Sequence, residues 1–109
     1  MAVTTVNDVF EKMPQIFNAG GAAGVNLIFQ FHITGDQGGD WNVVVKDSTC
    51  QVNTGVNPSP SVTFTMEDAD WVAMWSGELD GMKAFMTGKL KLSGDIMSAQ
   101  LLQSLFPFS

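Results

Sequence analysis

The sequence predicts an α+β domain built on a five-stranded, mainly antiparallel β-sheet. Apolar residues recur with helical spacing near the N-terminus, and five short segments alternate apolar and polar residues. Aspartates and glycines bracket short helical segments in the second half. At 109 residues the chain has room for one hydrophobic core, so we expect a single domain over residues 1–109.

The first helix is expected to begin at Thr5, because Thr5 and Asp8 have the spacing of a capping box. Pro14 lacks an amide hydrogen and crowds the preceding turn. We therefore expect a break or kink near Lys12 and Met13, followed by a second helical turn through Phe17. One face of this region is predicted to be buried: Val6, Val9, Phe10, Met13 and Phe17.

Four alternating segments follow the first helix. The first, residues 26–34, places Leu27, Phe29, Phe31 and Ile33 on one face and a wet face with Asn26, Gln30, His32 and Thr34 on the other. A glycine-rich turn at 35–40 leads into a second strand at 41–45 and makes an antiparallel hairpin. A third strand is predicted around Cys50 and Val52, and a fourth over 62–66.

The second half predicts three capped helices and a fifth strand at 89–93. The expected caps are Asp68, Asp80 and Asp95, and Gly77 and Gly88 end the first two helices. The inward face of the first is Trp71, Met74 and Trp75, and the second carries Met82, Phe85 and Met86.

The last helix is predicted over residues 96–106, stopped by Pro107. It has no charged residue after Asp95, and its apolar surface is wider than the roughly 100° stripe that one-sided packing requires. A lipid, a partner chain or the core itself must therefore cover the part of this apolar surface that lies beyond the stripe.

The stretch over residues 62–95 is the most distinctive part of the sequence. It holds a strand that ends at Glu67 and Asp68, then Trp71, Trp75 and Gly77, then the run Phe85-Met86-Thr87-Gly88-Lys89-Leu90-Lys91-Leu92-Ser93-Gly94-Asp95. This order resembles the sterol carrier protein type-2 domain family. The resemblance implies helices on one face of the sheet, a hydrophobic tunnel between the layers, and non-catalytic binding or transfer of fatty acids, fatty acyl-coenzyme A, sterols or phospholipids.

The candidate ligand-binding residues are the apolar faces that would line such a tunnel. Seven methionines, eight phenylalanines and three tryptophans with only 15% charged residues fit either an adaptable apolar pocket or a loosely specified core. Taken singly, each candidate is typical of an ordinary core. The set is Phe29, Phe31, Phe64, Trp71, Met74, Trp75, Met82, Phe85, Met86, Leu90, Ile96, Leu101, Leu102, Leu105 and Phe106.

The polar candidates favour structural roles. Lys83, Lys89 and Lys91 either meet a lipid head group or guard an edge strand as solvated side chains. His32 and Cys50 have no adjacent partner for a metal, so we expect a surface histidine and a small core residue. Asp36 and Asp40 lack the spacing of a calcium loop. We expect no metal, no cofactor and no enzymatic activity, since no nucleophile–base pair or nucleotide fingerprint is present.

Charge and composition also restrict the partners. A formal net charge of -6 without arginine argues against nucleic acid and allows at most transient membrane contact. A single cysteine and the lack of a leader-like opening predict a cytoplasmic protein. The alternative function is an accessory module that forms a homodimer or presents a lipid to a lipid- or quinone-metabolising enzyme, with the last helix as its interface.

Overall fold

A computed structural model describes residues 5–106. Helix α1, Val6–Ile16, begins at the predicted capping box: the Asp8 amide donates to Thr5 Oγ1 and the Thr5 amide donates to Asp8 Oδ2, both at 3.1 Å. Of the break or kink predicted near Lys12 and Met13, the break is wrong, because α1 is continuous through Pro14. The helix ends at Ile16, and Phe17 is extended. Pro14 forgoes one helical hydrogen bond, but the opposite face is anchored in the core through Val6, Val9, Phe10 and Met13.

Five strands form one sheet in the order β3-β2-β1-β4-β5. The central strands β1 and β4 run parallel, and every other neighbouring pair is antiparallel, which confirms the predicted mainly antiparallel sheet. Asp47 and Ser48 adopt φ values of 53° and 58°, as a tight turn between twisted strands requires. The strands are β1 Leu27–Thr34, β2 Gly39–Lys46, β3 Thr49–Thr54, β4 Val62–Glu67 and β5 Leu90–Gly94.

The apolar face of the sheet carries the core. Helix α2, Asp68–Trp75, packs there together with α1. Trp71 is fully buried, and its ring centroid lies 5.3 Å from that of Phe10 and 4.9 Å from that of Phe31. The strands contribute alternate residues to this core, as their periodicity predicts: Phe29, Phe31, Ile33, Val43, Val45, Val62, Phe64 and Met66.

The opposite face of the sheet is not uniformly wet, which corrects the prediction at Gln30. Gln30 and Asn42 are buried because the chain after β3 folds over them. The Gln30 Nε2 donates to the carbonyls of Trp41 and Gly55, and its Oε1 accepts from the Asn57 amide at 2.8 Å. These bonds satisfy the buried amide, as a polar group away from water requires. His32 is exposed as predicted, with Nδ1 2.7 Å from Asp40 Oδ1.

Helix α3, Gly81–Met86, begins at the predicted cap, where Asp80 Oδ1 accepts from the Met82 amide at 3.2 Å. The predicted Asp68 cap is wrong, because Glu67 occupies the N-cap position of α2. The Asp68 carboxylate instead accepts from the Gln37 amide at 3.0 Å and from the Ala69 amide at 2.8 Å. The bond from Gln37 is the largest cause that lowers the pKa of Asp68, and it ties the β1–β2 turn to the start of α2.

The predicted final helix is two short helices, α4 Ile96–Ala99 and α5 Leu101–Leu105, joined at Gln100. Asp95 caps α4 as predicted, accepting from the Met97 amide at 3.1 Å. Its own amide donates to the Ser61 carbonyl, whereas the far end of α5 is held by a 2.7 Å bond from the Asn18 amide to the Leu105 carbonyl. The start of α4 and the end of α5 are thus hydrogen-bonded to different parts of the fold. The predicted stop at Pro107 lies outside the described residues.

Candidate functional site

A cavity of about 400 Å³ lies between the helices of the second half and strands β4 and β5. Its floor is formed by four buried apolar side chains, each 8% exposed or less: Phe64, Met74, Leu90 and Leu102. These residues come from β4, α2, β5 and α5 respectively, so the cavity requires the whole second half of the fold. The family resemblance implies a tunnel between the helices and the sheet, and this cavity lies between those two layers.

The rim of the cavity, defined as its exposed lining residues, has an apolar and a polar part. The apolar part is Met82, Phe85 and Ile96, which are 62%, 42% and 46% exposed. The polar part is Asp80, Gln100 and Gln103. The cavity is therefore apolar at its floor and open to solvent at its rim.

Small residues lie at the start of helix α3, on its buried side and just after its end. Ala84 is fully buried and anchors the helix against the core, which leaves Met82 and Phe85 to line the cavity. Gly81 begins the helix close to α2, where an added Cβ would lie 3.5 Å from Met74 Sδ. Gly88 follows α3 with a φ of +81°, a backbone conformation that favours glycine.

The structure divides the fifteen predicted site residues into three groups. Seven line the cavity: Phe64, Met74, Met82, Phe85, Leu90, Ile96 and Leu102. Six are buried in the core outside it: Phe29, Phe31, Trp71, Trp75, Leu105 and Phe106. Met86 and Leu101 are 77% and 38% exposed and lie outside the lining. Their contact with a lipid stays a prediction.

Several lining residues were not among the predicted site residues. Leu92 shares the side of β5 with Leu90, and Ala99 lies three residues after Ile96, so periodicity alone was enough to identify both. Gly81 and the polar rim residues, by contrast, gave no apolar signal. They reach the cavity because the end of α2, the start of α3 and the joint at Gln100 converge there.

The sequence matches the SCP-2 sterol transfer family over residues 9–107. The chain belongs to this family. Hydroxysteroid dehydrogenase-like protein 2 of Xenopus tropicalis is 28% identical over 102 residues, which are 92% of this chain and 24% of that protein. The Rattus norvegicus protein of the same name is 39% identical over 80 residues, 72% of this chain and 15% of its own length. The SCP-2 chain thus spans about a quarter or less of these curated relatives.

A solved structure of the same kind shares the fold along nearly the whole length of both chains. The solution structure of palmitated sterol carrier protein 2-like 2 from Aedes aegypti matches with a TM-score of 0.69 and 28% identity. The match covers 94% of this SCP-2 chain and 95% of that one. It confirms the predicted α+β fold of a sterol carrier protein domain.

Charge is unevenly placed around the cavity of this SCP-2 domain. Among the described lining residues, Asp80 is the only one with a charged side chain. Lys83, Lys89 and Lys91 are exposed and do not line the cavity. Neither of the two roles considered for these lysines is tested by this placement.

Metal-ligating clusters and membrane-spanning helices are both absent between residues 5 and 106. No group of three histidine, cysteine, aspartate or glutamate side chains in that range is arranged to hold a metal ion. No helix in the same range is long and apolar enough to cross a membrane. Cys50 is half-buried against the core, and this burial raises the pKa of its thiol.

Proposed function

We propose that this SCP-2 domain binds a lipid in the cavity and carries it without chemical turnover. The guest classes are those implied by the family: a fatty acid, a fatty acyl-coenzyme A, a sterol or a phospholipid. The observation that carries the proposal is the apolar floor of the 400 Å³ cavity, which is built from four different elements and opens to solvent. A volume of this size is within the range of sites for small ligands.

The energetics favour an occupied cavity. Each methylene group transferred from water to an apolar site contributes about 0.8 kcal/mol, so a chain of roughly sixteen carbons supplies a gross drive of about 13 kcal/mol before ordering costs. A dry, empty cavity of this volume would cost on the order of 10 kcal/mol, which is comparable with the whole stability of a domain. On this proposal, lipid displaces water from the cavity when it binds.

The lining supports a non-catalytic role. Among residues 5–106 the lining includes no serine, cysteine, histidine or lysine, and the one carboxylate there, that of Asp80, accepts a hydrogen bond from the amide of Met82 at the start of α3. General acid–base or nucleophilic catalysis needs a positioned pair of reactive groups. The longer relatives carry enzyme names, but nothing in this lining supplies such a pair.

Extraction of the purified protein under denaturing conditions, followed by mass spectrometry, tests the proposal. We expect close to one lipid per protein chain, with the last column wash as the blank. Protein that carries no lipid after mild purification, and that takes none up from added fatty acid or sterol, would contradict the proposal.

A second candidate function is an accessory interaction module, and the distribution of exposed apolar side chains favours it. Among residues 5–106, six of the seven large apolar side chains that are exposed belong to α3, α4 and α5: Met82, Phe85, Met86, Ile96, Met97 and Leu101. Such clustering is typical of protein or membrane interaction sites. The greater length of the relatives is consistent with a domain that works beside other domains.

Light scattering with a surface variant separates the two functions. Met97 is 76% exposed and lies outside the cavity lining, so Met97→Asp should leave lipid binding intact. If the domain is a dimer that dissociates in this variant, the interaction function is supported. Val56→Asp is the matched control, since Val56 is 70% exposed in the loop after β3. A wild-type monomer at high concentration would argue against the homodimer.

A cytoplasmic location is part of the same proposal. Its support is the single cysteine, which has no intrachain partner for a disulfide and is half-buried with a raised thiol pKa. Fractionation of the native host, with the domain detected by antibody, tests it. Recovery from a membrane or organelle fraction would contradict it.

A further inference from the structure

We propose that Asp80 makes the cavity discriminate against lipids with an anionic head group, so that lipids with a neutral hydroxyl or amide head are preferred over the fatty acid anion. This inference rests on the proposed function and narrows its substrate class. Asp80 acts here as a specificity-determining residue at the rim, in addition to its role in capping α3.

The head group of a bound lipid must remain at the rim. The floor, made by Phe64, Met74, Leu90 and Leu102, offers only apolar atoms. A hydroxyl or carboxylate placed there would lose its hydrogen bonds to water without replacement, which is costly, and most costly for a charged group. The apolar chain therefore fills the floor, and the head group meets the exposed lining residues.

The polar rim can receive a neutral head group. Gln100 and Gln103 carry amides, and each amide offers both donors and an acceptor. The Asp80 carboxylate can accept a hydrogen bond from a hydroxyl or an amide, as it already does from the Met82 amide at 3.2 Å. A head group with an N–H or O–H donor therefore finds partners on the rim.

A carboxylate head group finds no cationic side chain among the described rim residues. Asp80 is the only charged residue in the described lining, and it carries the same sign as the ligand. Lys83, Lys89 and Lys91 are exposed and outside the lining, and the chain as a whole has a formal net charge of -6. Two like charges at about 4 Å in watery surroundings repel enough to weaken binding about fivefold.

Three probes with an apolar chain of eleven or twelve carbons test the inference: 1-dodecanol, dodecanoate and dodecyltrimethylammonium. Each is measured by equilibrium dialysis against delipidated protein, the two ions below their critical micelle concentrations and the alcohol below its solubility limit. We expect dodecanoate to bind about fivefold more weakly than dodecanol and more weakly than the cation, since only the anion is repelled by Asp80. Raising the salt concentration should reduce the differences in affinity between dodecanoate and the other two probes.

The variant Asp80→Asn isolates the charge, because asparagine is as good a helix cap as aspartate. It should strengthen dodecanoate binding about fivefold and weaken binding of the cation. Dodecanol should bind no more tightly than it does to the wild type, because its hydroxyl then meets a neutral amide in place of a carboxylate. Asp95→Asn is the matched control: Asp95 caps the next helix but does not line the cavity, so the same change in net charge should alter dodecanoate binding far less. Circular dichroism checks that both variants are folded.

Equal affinities of the wild type for dodecanoate and dodecanol would overturn the inference while leaving the proposed function intact. An equal gain for dodecanoate in Asp80→Asn and Asp95→Asn would also overturn it, since net charge would then be the cause. If none of the three probes binds, the inference fails, and the extraction experiment described above decides the proposed function separately.

Discussion

Truncation of Leu102 is expected to destabilise the domain by about 2–3 kcal/mol. Leu102 is 5% exposed and forms part of the cavity floor. Leu102→Ala removes three carbon groups, worth about 0.8 kcal/mol each, and leaves additional empty volume. Because Leu102 already borders a cavity, fewer contacts are lost than at a fully packed site. The loss should therefore lie near the lower end of the 2–5 kcal/mol seen for such truncations.

Urea denaturation followed by tryptophan fluorescence measures this loss, since Trp71 is fully buried in the native state. The protein is first delipidated, because a bound ligand would add its own stabilisation. In a thermal melt the same change corresponds to a fall in Tm of about 10 °C for a domain of this size. Leu101→Ala is the control: Leu101 is the neighbouring residue, is 38% exposed, and should lose about 1 kcal/mol or less. Equal losses in the two variants would refute the packing described for α5.

Three further predictions test other parts of the structure. Because the folded-state pKa of Asp68 lies below its ordinary value of 3.8, its contribution to stability is present above that pH and is lost as pH falls through the folded-state value. Asp68→Asn should therefore be less stable than wild type at neutral pH, and urea titrations should show this difference vanishing in acid. Gly81→Ala should raise the free energy of unfolding by roughly 0.5 kcal/mol, because the added Cβ meets only Met74 Sδ, at 3.5 Å. Gly88→Ala should lower it by about 1–2 kcal/mol, because alanine is strained at a φ of +81°. Equal effects of the two variants in denaturant melts would be inconsistent with these conformations. Cys50 should react with iodoacetamide more slowly in the folded than in the unfolded protein, since burial raises its thiol pKa; identical rates by mass spectrometry would contradict this burial.

Residue periodicity was sufficient to predict the strands and the inward faces of α1 and α2. Phe29, Phe31 and Ile33 are buried on one face of β1, as a period of two predicts. Sheet order could not be predicted in this way, because the parallel pairing of β1 with β4 depends on residues more than thirty positions apart. The burial of Gln30 escaped prediction for the same reason: the loop residues Gly55 and Asn57 that satisfy its amide lie far away in sequence.

The site was predictable only in part. Apolar pattern identified the floor residues Phe64, Met74, Leu90 and Leu102, but it could not separate them from Trp71, which fills the core. A floor residue differs from a core residue in that open space, and not another side chain, lies opposite its own side chain. This difference depends on the packing of the whole fold. Helix α3 shows a related effect, because small Ala84 is its buried residue and the large Met86 is exposed.

The central claim, that the cavity is the lipid site, is tested most directly by binding to a cavity-filling variant. Ala99 lines the cavity, so Ala99→Phe places a ring in the space proposed for the lipid. Ala69→Phe is the matched control, since Ala69 is exposed on α2 outside the lining. In equilibrium dialysis against a labelled fatty alcohol, we expect the wild type and Ala69→Phe to bind one molecule per chain and folded Ala99→Phe to bind at least tenfold more weakly, a loss of about 1.4 kcal/mol or more. Unchanged binding by folded Ala99→Phe would contradict the claim that the cavity is the lipid site.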